Sequence, residues 1–209
     1  MKVVSINLGR ARELRGRSFE GITGIFKAPV DDSVEIGPLG LKGDAVCDTK
    51  HHGGPDQALY LYRQEDYDWW SAQLGRTIAP GTFGDNLTVA GLPSPDLVIG
   101  SRLRFPDLLL EVTAPRIPCN TLAQRMDDPA FVKAFVRAER PGVYLRVIEA
   151  GRLRAGDGFE LLGREGPQRT TNELYRDSYR SLTQDEIKAW LAVPIDARTR
   201  AKLTDKLSA

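Results

Sequence analysis

The apolar and polar positions of the first 163 residues alternate in short runs. VVSIN (3–7), GITGIFKAPV (21–30), SVEI (33–36), ALYLY (58–62), NLTV (86–89), RLRF (102–105), LLLEVT (108–113), GVYLRVIEA (142–150) and GFELLG (158–163) are rich in Val, Ile, Leu and Tyr, and Gly or Pro turns divide them. Strands at this spacing predict a mainly β fold, closed or barrel-like, with a few helices. The stretch Gln64 to Leu74 places Tyr67, Trp70 and Leu74 on one stripe and stops at Gly75, which predicts an amphipathic helix. Asp128-Pro129 predicts a second helix, with Pro in the first helical position and Phe131, Phe135 and Val136 turned inward.

Beyond Gly166-Pro167 the period becomes helical and glycine disappears. Three pieces are expected, near 172–181, 183–192 and 196–207; a Thr183-x-x-Glu186 capping box opens the middle one. The expected organisation is an N-terminal strand region (1–27) packing on the barrel, a β body (28–163) and a small three-helix unit (167–209).

Composition narrows the function classes. The chain has 209 residues, 41% hydrophobic and 27% charged, which suits a folded globular protein with its own core. With 29 basic and 28 acidic residues the net charge is +1, so no global grip on nucleic acid or on an anionic membrane is expected. No apolar run approaches the ~18 residues of a membrane span, and the N-terminus lacks a signal-peptide layout; a cytoplasmic protein with two free thiols, Cys47 and Cys119, is the expectation. Two cysteines cannot hold a four-thiolate iron–sulfur cluster, and no dinucleotide or P-loop motif follows a strand-like run. A redox enzyme with this sequence would draw its electrons from a separate protein.

Four segments carry candidate chemistry. Both histidines, His51 and His52, lie between Lys42-Gly43-Asp44 and Gly53-Gly54-Pro55-Asp56-Gln57, at the mouth of the apolar ALYLY run. Bare glycine amides there can approach a ligand closely. Pro80-Gly-Thr-Phe83-Gly84-Asp85-Asn86-Leu87 precedes another strand, and its Asn86 amide both donates and accepts. In Glu111-Val-Thr-Ala-Pro115-Arg116-Ile117-Pro118-Cys119-Asn120 two prolines fix the chain direction around Arg116 and Cys119. A neighbouring Arg favours thiolate, which suits a nucleophile or a soft-metal ligand. Cys47, flanked by Asp44 and Asp48, reads as a structural thiol. The fourth set, Arg137, Arg140, Tyr144 and Arg146, offers guanidinium forks suited to phosphate. A Cys–His hydrolase built on Cys119 and His52, and zinc held by Cys47, His51 and His52, fit less well.

In this order the segments resemble the MOSC domain family, from about Ala28 to Gly163: Gly43-Asp44, His52-Gly-Gly-Pro-Asp-Gln57, Pro80-Gly-Thr-Phe-Gly-Asp-Asn-Leu87, Glu111-Val-Thr-x-Pro-Arg-x-Pro-Cys119, Arg140-x-Gly-x-Tyr144 and Ala155-Gly-Asp157. The helical tail makes the YiiM-like subgroup, whose tail is called the 3-alpha domain, the nearest likeness. Asp85 departs from the pattern, which carries Glu before the Asn. The resemblance implies a molybdenum cofactor, the metal chelated by a pterin dithiolene, with Cys119 as the protein ligand to molybdenum. It implies reduction of N-hydroxylated substrates such as hydroxylaminopurine-type base analogues, a detoxifying reaction independent of pyridoxal phosphate, with a flavoprotein or similar reductase as electron donor.

Under that reading Cys119 and His52 are the catalytic candidates, His52 delivering protons. Lys42, Gly53, Gly54, Asp56, Gln57, Phe83, Gly84, Asp85, Asn86, Arg116, Asn120, Arg140 and Tyr144 are the cofactor-binding candidates. The alternative is a cofactor carrier or sulfur-transfer module without reductase turnover. No membrane or nucleic-acid partner is expected, a homodimer is compatible with the sequence, and the tail reads as a lid or partner-docking element.

Overall fold

The computed structural model describes residues 1–208; Ala209, the end of the expected tail, lies outside the described residues. In chain order the strands are β1 Lys2–Gly9, β2 Arg12–Leu14, β3 Gly21–Thr23, β4 Lys27–Pro29, β5 Val34–Gly37, β6 Gly40–Leu41 and β7 Leu59–Arg63, then helix α1 Gln64–Leu74. They continue with β8 Leu87–Ala90, β9 Arg102–Arg104, β10 Leu109–Pro115, helices α2 Asn120–Met126 and α3 Phe131–Ala138, β11 Val143–Glu149, β12 Gly151–Leu153 and β13 Glu160–Leu162. Helices α4 Thr171–Asp177, α5 Gln184–Leu191 and α6 Ala197–Ser208 form the tail.

Eight strands make one sheet in the order β13-β9-β10-β11-β7-β8-β1-β4. All its pairs are antiparallel except β7 with β8, which α1 connects as a crossover. The N-terminal strand β1 is thus a member of the main sheet, between β8 and β4. Of the mainly β, closed or barrel-like fold expected, the sheet-dominant body is present, and among the described residues no ladder joins the edge strands β13 and β4. Beside β13 the chain meets β1 in one bridge, Lys2 with Gly158, and in backbone hydrogen bonds from Val3 to Asp157, from Gly156 to Val3 and from Phe159 to Met1. Gly156 at φ 92° turns the chain there, which ends the pairing after a single bridge. Two smaller sheets, β12-β5-β6 and β2-β3, complete the β structure.

The run read as one strand over 21–30 is split into β3 and β4. Gly24 lies between them, and a Cβ on it would sit 2.0 Å from the carbonyl oxygen of Ala45, so two backbones touch there. Helix α3 starts at Phe131, not at Pro129. Asp128 Oδ1 instead accepts from the Ala130 amide at 2.8 Å, and a turn precedes the helix. Phe131 and Phe135 are buried as expected, while Val136 is half-buried. Helix α2 was not anticipated, although Leu122, Ala123 and Met126 supply its buried face.

Strand β7 shows why ALYLY carries no polar position. Leu59 and Leu61 enter a mainly aliphatic core with Ile6, Leu87, Leu103, Leu110 and Leu145. Tyr60 and Tyr62, on the other face, enter an aromatic core with Tyr67, Trp70, Phe83, Phe131, Phe135 and Tyr144, which α1, α2 and α3 cover. Both faces are therefore buried.

The tail has a third core, Leu174, Ile187, Trp190, Val193, Ile195 and Leu203, which receives Ile99 from the body. A bridge between Val98 and Thr170 begins the contact. The Thr183–Glu186 capping box forms, and so does a second one, Thr170 with Glu173.

Candidate functional site

A cleft of about 130 Å³ opens on the aromatic side of β7 and β11. Three segments converge on it.

The first follows β10, whose seven residues are all buried. The chain leaves the strand through Pro115, Arg116 and Pro118 and delivers Cys119 in extended conformation immediately before α2. Arg116 is 4% exposed, and the groups around its charge are Tyr60, Cys119, Tyr144 and Tyr175, none of them a carboxylate. Its guanidinium lies 5.3 Å from the Tyr60 ring centroid, and its Nη1 is buried with no hydrogen-bond partner among the described residues. Burial works against that charge, but Tyr60 and Cys119 leave its pKa above the ordinary arginine value. Burial likewise pushes the Cys119 thiol up; the neighbouring His52, the Arg116 charge and the Leu122 amide outweigh it and bring the pKa down to about 6. Cys119 is a free, partly accessible thiol and is mostly thiolate at neutral pH.

The second is the loop from Lys42 to Gly54. Residues 48–52 form one helical turn, with the His52 amide donating to the Asp48 carbonyl at 2.9 Å. Gly53 and Gly54, at φ 69° and 84°, reverse the chain; a Cβ on Gly53 would lie 2.8 Å from Val46 Cγ1. His52 Nδ1 meets the Tyr144 hydroxyl at 3.2 Å. His51 points elsewhere, exposed and paired with Asp48.

The third precedes β8. Phe83 and Gly84 line the cleft, and Asn86 spans two partners, accepting from the Tyr60 amide at 3.1 Å and donating to Asp44 Oδ2 at 2.8 Å. Asp44 in turn forms a buried ion pair with Lys27 at 2.5 Å and accepts from the Gly9 amide. The Asp85 side chain turns away from the cleft. It is fully buried and accepts from Tyr67, from Thr88 at 2.7 Å and from Asn7 at 3.3 Å. Burial raises its pKa, against the hydrogen bonds from Tyr67 and Thr88. Asp85 thus joins α1 to β1 and β8.

Of the candidates read from the sequence, the structure brings His52, Gly53, Gln57, Phe83, Gly84, Asn86, Arg116, Cys119 and Tyr144 to the cleft wall. The others lie outside it for stated reasons. Lys42 is exposed and bonded to Glu35 at 2.8 Å. Arg140 reaches the buried Asp66 at 2.5 Å and covers the Trp69 ring. Arg146 pairs with Asp56 at 3.2 Å, so the expected arginine cluster is dispersed. Asp56 faces the tail, Asn120 faces solvent, and Gly54 serves the turn.

Sequence reading missed the Lys27–Asp44 pair and the Tyr60 wall: Lys27 lies in a strand with no chemical signature, and Tyr60 reads as core. Cys47, expected to be structural, is exposed at the cleft's edge, and burial with the nearby Asp44 outweighs Lys27 and raises its pKa. Among the described residues no three His, Cys, Asp or Glu groups are placed to hold a metal ion. No helix among them is long and apolar enough to cross a membrane.

Comparison with known proteins extends this picture. Residues 48–160 match the MOSC domain. The uncharacterized protein YflK of Bacillus subtilis is 37% identical over 164 residues, 78% of this chain and 73% of YflK. A protein of Gibberella moniliformis described as a reductase is 31% identical over 148 residues, 69% of this chain but 26% of that protein. The crystal structure of YiiM from Geobacillus stearothermophilus superposes with a TM-score of 0.81 at 26% identity, covering 99% of this chain and 98% of that one. The match over more than half the chain and the likeness in fold agree: this chain belongs to the MOSC domain family, as a YiiM-like member.

Proposed function

We propose that the protein is a molybdenum-cofactor-dependent oxidoreductase that reduces N-hydroxylated compounds of the hydroxylaminopurine type. The observation that carries this reading is the Cys119 thiolate, at a pKa of about 6, beside the buried and partly unpaired Arg116 in the cleft. A single soft ligand of this kind suits a metal that arrives with its other ligands already attached. The residues fit such a group. Cys119 is the one accessible thiolate, Arg116 Nη1 and Gln57 Oε1 are buried polar atoms without partners, and no protein cluster competes for the metal among the described residues.

Bound there, molybdenum with its pterin dithiolene supplies two-electron chemistry at an oxygen atom. The chain's own residues do the rest. Arg116 holds the thiolate charge; His52 sits on the cleft wall with its Nδ1 against the Tyr144 hydroxyl; Phe83, Tyr60 and Ile25 give the cleft flat apolar walls for a heteroaromatic base. The overall reaction, R–NHOH with two electrons and two protons giving R–NH2 and water, needs a separate flavoprotein or similar reductase as donor. Support for the reaction class comes from the family and from the reductase-named relative.

Turnover tests the reading. Purified, cofactor-loaded protein with dithionite-reduced viologen should convert hydroxylaminopurine to aminopurine, and Cys119→Ser should not. The same thiolate also suits a cofactor carrier or a persulfide-bearing sulfur-transfer module; bound cofactor without any turnover would favour the first, and a persulfide on Cys119 the second.

A further inference from the structure

The last of the C-terminal helices meets the loop that carries His52 through a contact of specific geometry. The helical turn at residues 48–52 ends in Gly53-Gly54, so the carbonyls near its end have no following turn of amides to accept from. Arg198, in the first turn of α6, fills that place. Its guanidinium donates to the carbonyls of Gly53 at 2.9 Å, Thr49 at 3.0 Å and His52 at 3.3 Å. A cation at the C-terminal end of a helical turn, donating to its last carbonyls, is the favourable arrangement for both charge and hydrogen bonding.

The contact is returned from the other side. Asp56, just past the Gly-Gly reversal, accepts through Oδ2 from the Ala197 amide at the start of α6, at 2.7 Å. Arg146 on β11 pairs with Asp56 at 3.2 Å and donates to the Pro194 carbonyl at 3.0 Å. Four residues between Thr49 and Asp56 are thus bonded to two adjacent residues of α6, and that segment carries His52.

We propose that Arg198 is a positioning residue: through the carbonyls of Thr49, His52 and Gly53 it sets the loop that holds the His52 ring against Tyr144 at the cleft wall. The tail then belongs to the site's own framework, in place of the lid or docking element expected from its sequence. The inference concerns the chain's own residues and stands whether or not the cleft turns over an N-hydroxylated substrate.

The chain has two histidines, which makes the test clean. At one fixed pH, the imidazole nitrogen signals of His52 in the apo protein should differ from those of the exposed His51 and report the Tyr144 hydrogen bond. Arg198→Ala should move the His52 signals to the exposed pattern and leave the His51 signals alone. Arg198→Lys should return them part of the way. Arg200→Ala, which removes bonds to Leu191 and Val193 inside the tail, should leave His52 unmoved. Unchanged His52 signals in Arg198→Ala, or equal changes in Arg200→Ala, would overturn the proposal.

A second measurement needs no variant. In the full wild-type chain, the His52 amide, bonded to Asp48, and the Ala197 amide, bonded to Asp56, should open together and show protection within about threefold of each other. A His52 amide that opens more than about tenfold more readily than Ala197 would contradict the coupling.

Discussion

The two sides of the cleft are held by opposite means. Cys119 sits on the local side. The buried strand β10 and the prolines at 115 and 118 fix its position from residues within ten places of it, and its charge partner Arg116 is three residues away. His52 sits on the long-range side. Its loop has two left-handed glycines and one helical turn, and three of its carbonyls are held by a guanidinium about 146 residues further on. A rigid thiolate corner facing a loop braced from a distance suits a site in which one wall must hold a group and the other must admit a substrate.

The strongest way to break this comparison is to loosen the tail. Trp190 is fully buried, donates to Asp177 at 2.8 Å and lies under Arg169. Trp190→Ala should cost about 3–5 kcal/mol in the tail's packing. Hydrogen exchange should then show the amides of α5, α6 and His52 losing protection together, while the Val112 amide in β10, bonded to Ser101, keeps its own. Equal loss at Val112 would mean that the two sides are one unit.

Gly53→Ala acts on the loop alone. It combines a positive φ with a Cβ 2.8 Å from Val46, and about 2 kcal/mol of destabilisation in thermal melting is expected. Arg116→Gln acts on the rigid side. With the charge gone, the Cys119 pKa should climb from about 6 toward the usual thiol value, and alkylation at pH 7 should slow about tenfold.

The same shift carries a sign for stability. A thiol whose folded pKa lies below its unfolded one adds stability that is present in full above the unfolded value and fades as pH falls through about 6. Denaturant melts of wild type and Arg116→Gln across that window should therefore converge at low pH.

The same local and long-range division decides what the sequence made legible. The Cys119 corner could be read because its determinants, two prolines and an arginine, are neighbours in the chain. The amphipathic stripe of α1 was legible for the same reason, whereas the glycines at 53 and 54 read only as bare amides, not as a chain reversal. Asp85 was not, because a carboxylate in a Gly-Asp-Asn turn has the same sequence appearance whether it faces a ligand or accepts from Tyr67, Thr88 and Asn7 inside the fold. Asp56 and Arg140 were read as cofactor contacts, but their partners, Ala197 and Asp66, lie 141 and 74 residues away. The break at Gly24 also depends on a distant backbone, that of Ala45. The expectation of a closed or barrel-like fold left closure open, because strand count fixes the number of ladders but not whether the edges meet.

The most direct test of the Cys119-centred account is elemental and pterin analysis of the protein purified from a host that makes molybdenum cofactor, beside Cys119→Ser. The account predicts molybdenum and pterin together in the wild type, with molybdenum lost from the variant. Neither metal nor pterin in the wild type, or molybdenum retained unchanged without the thiolate, would contradict it.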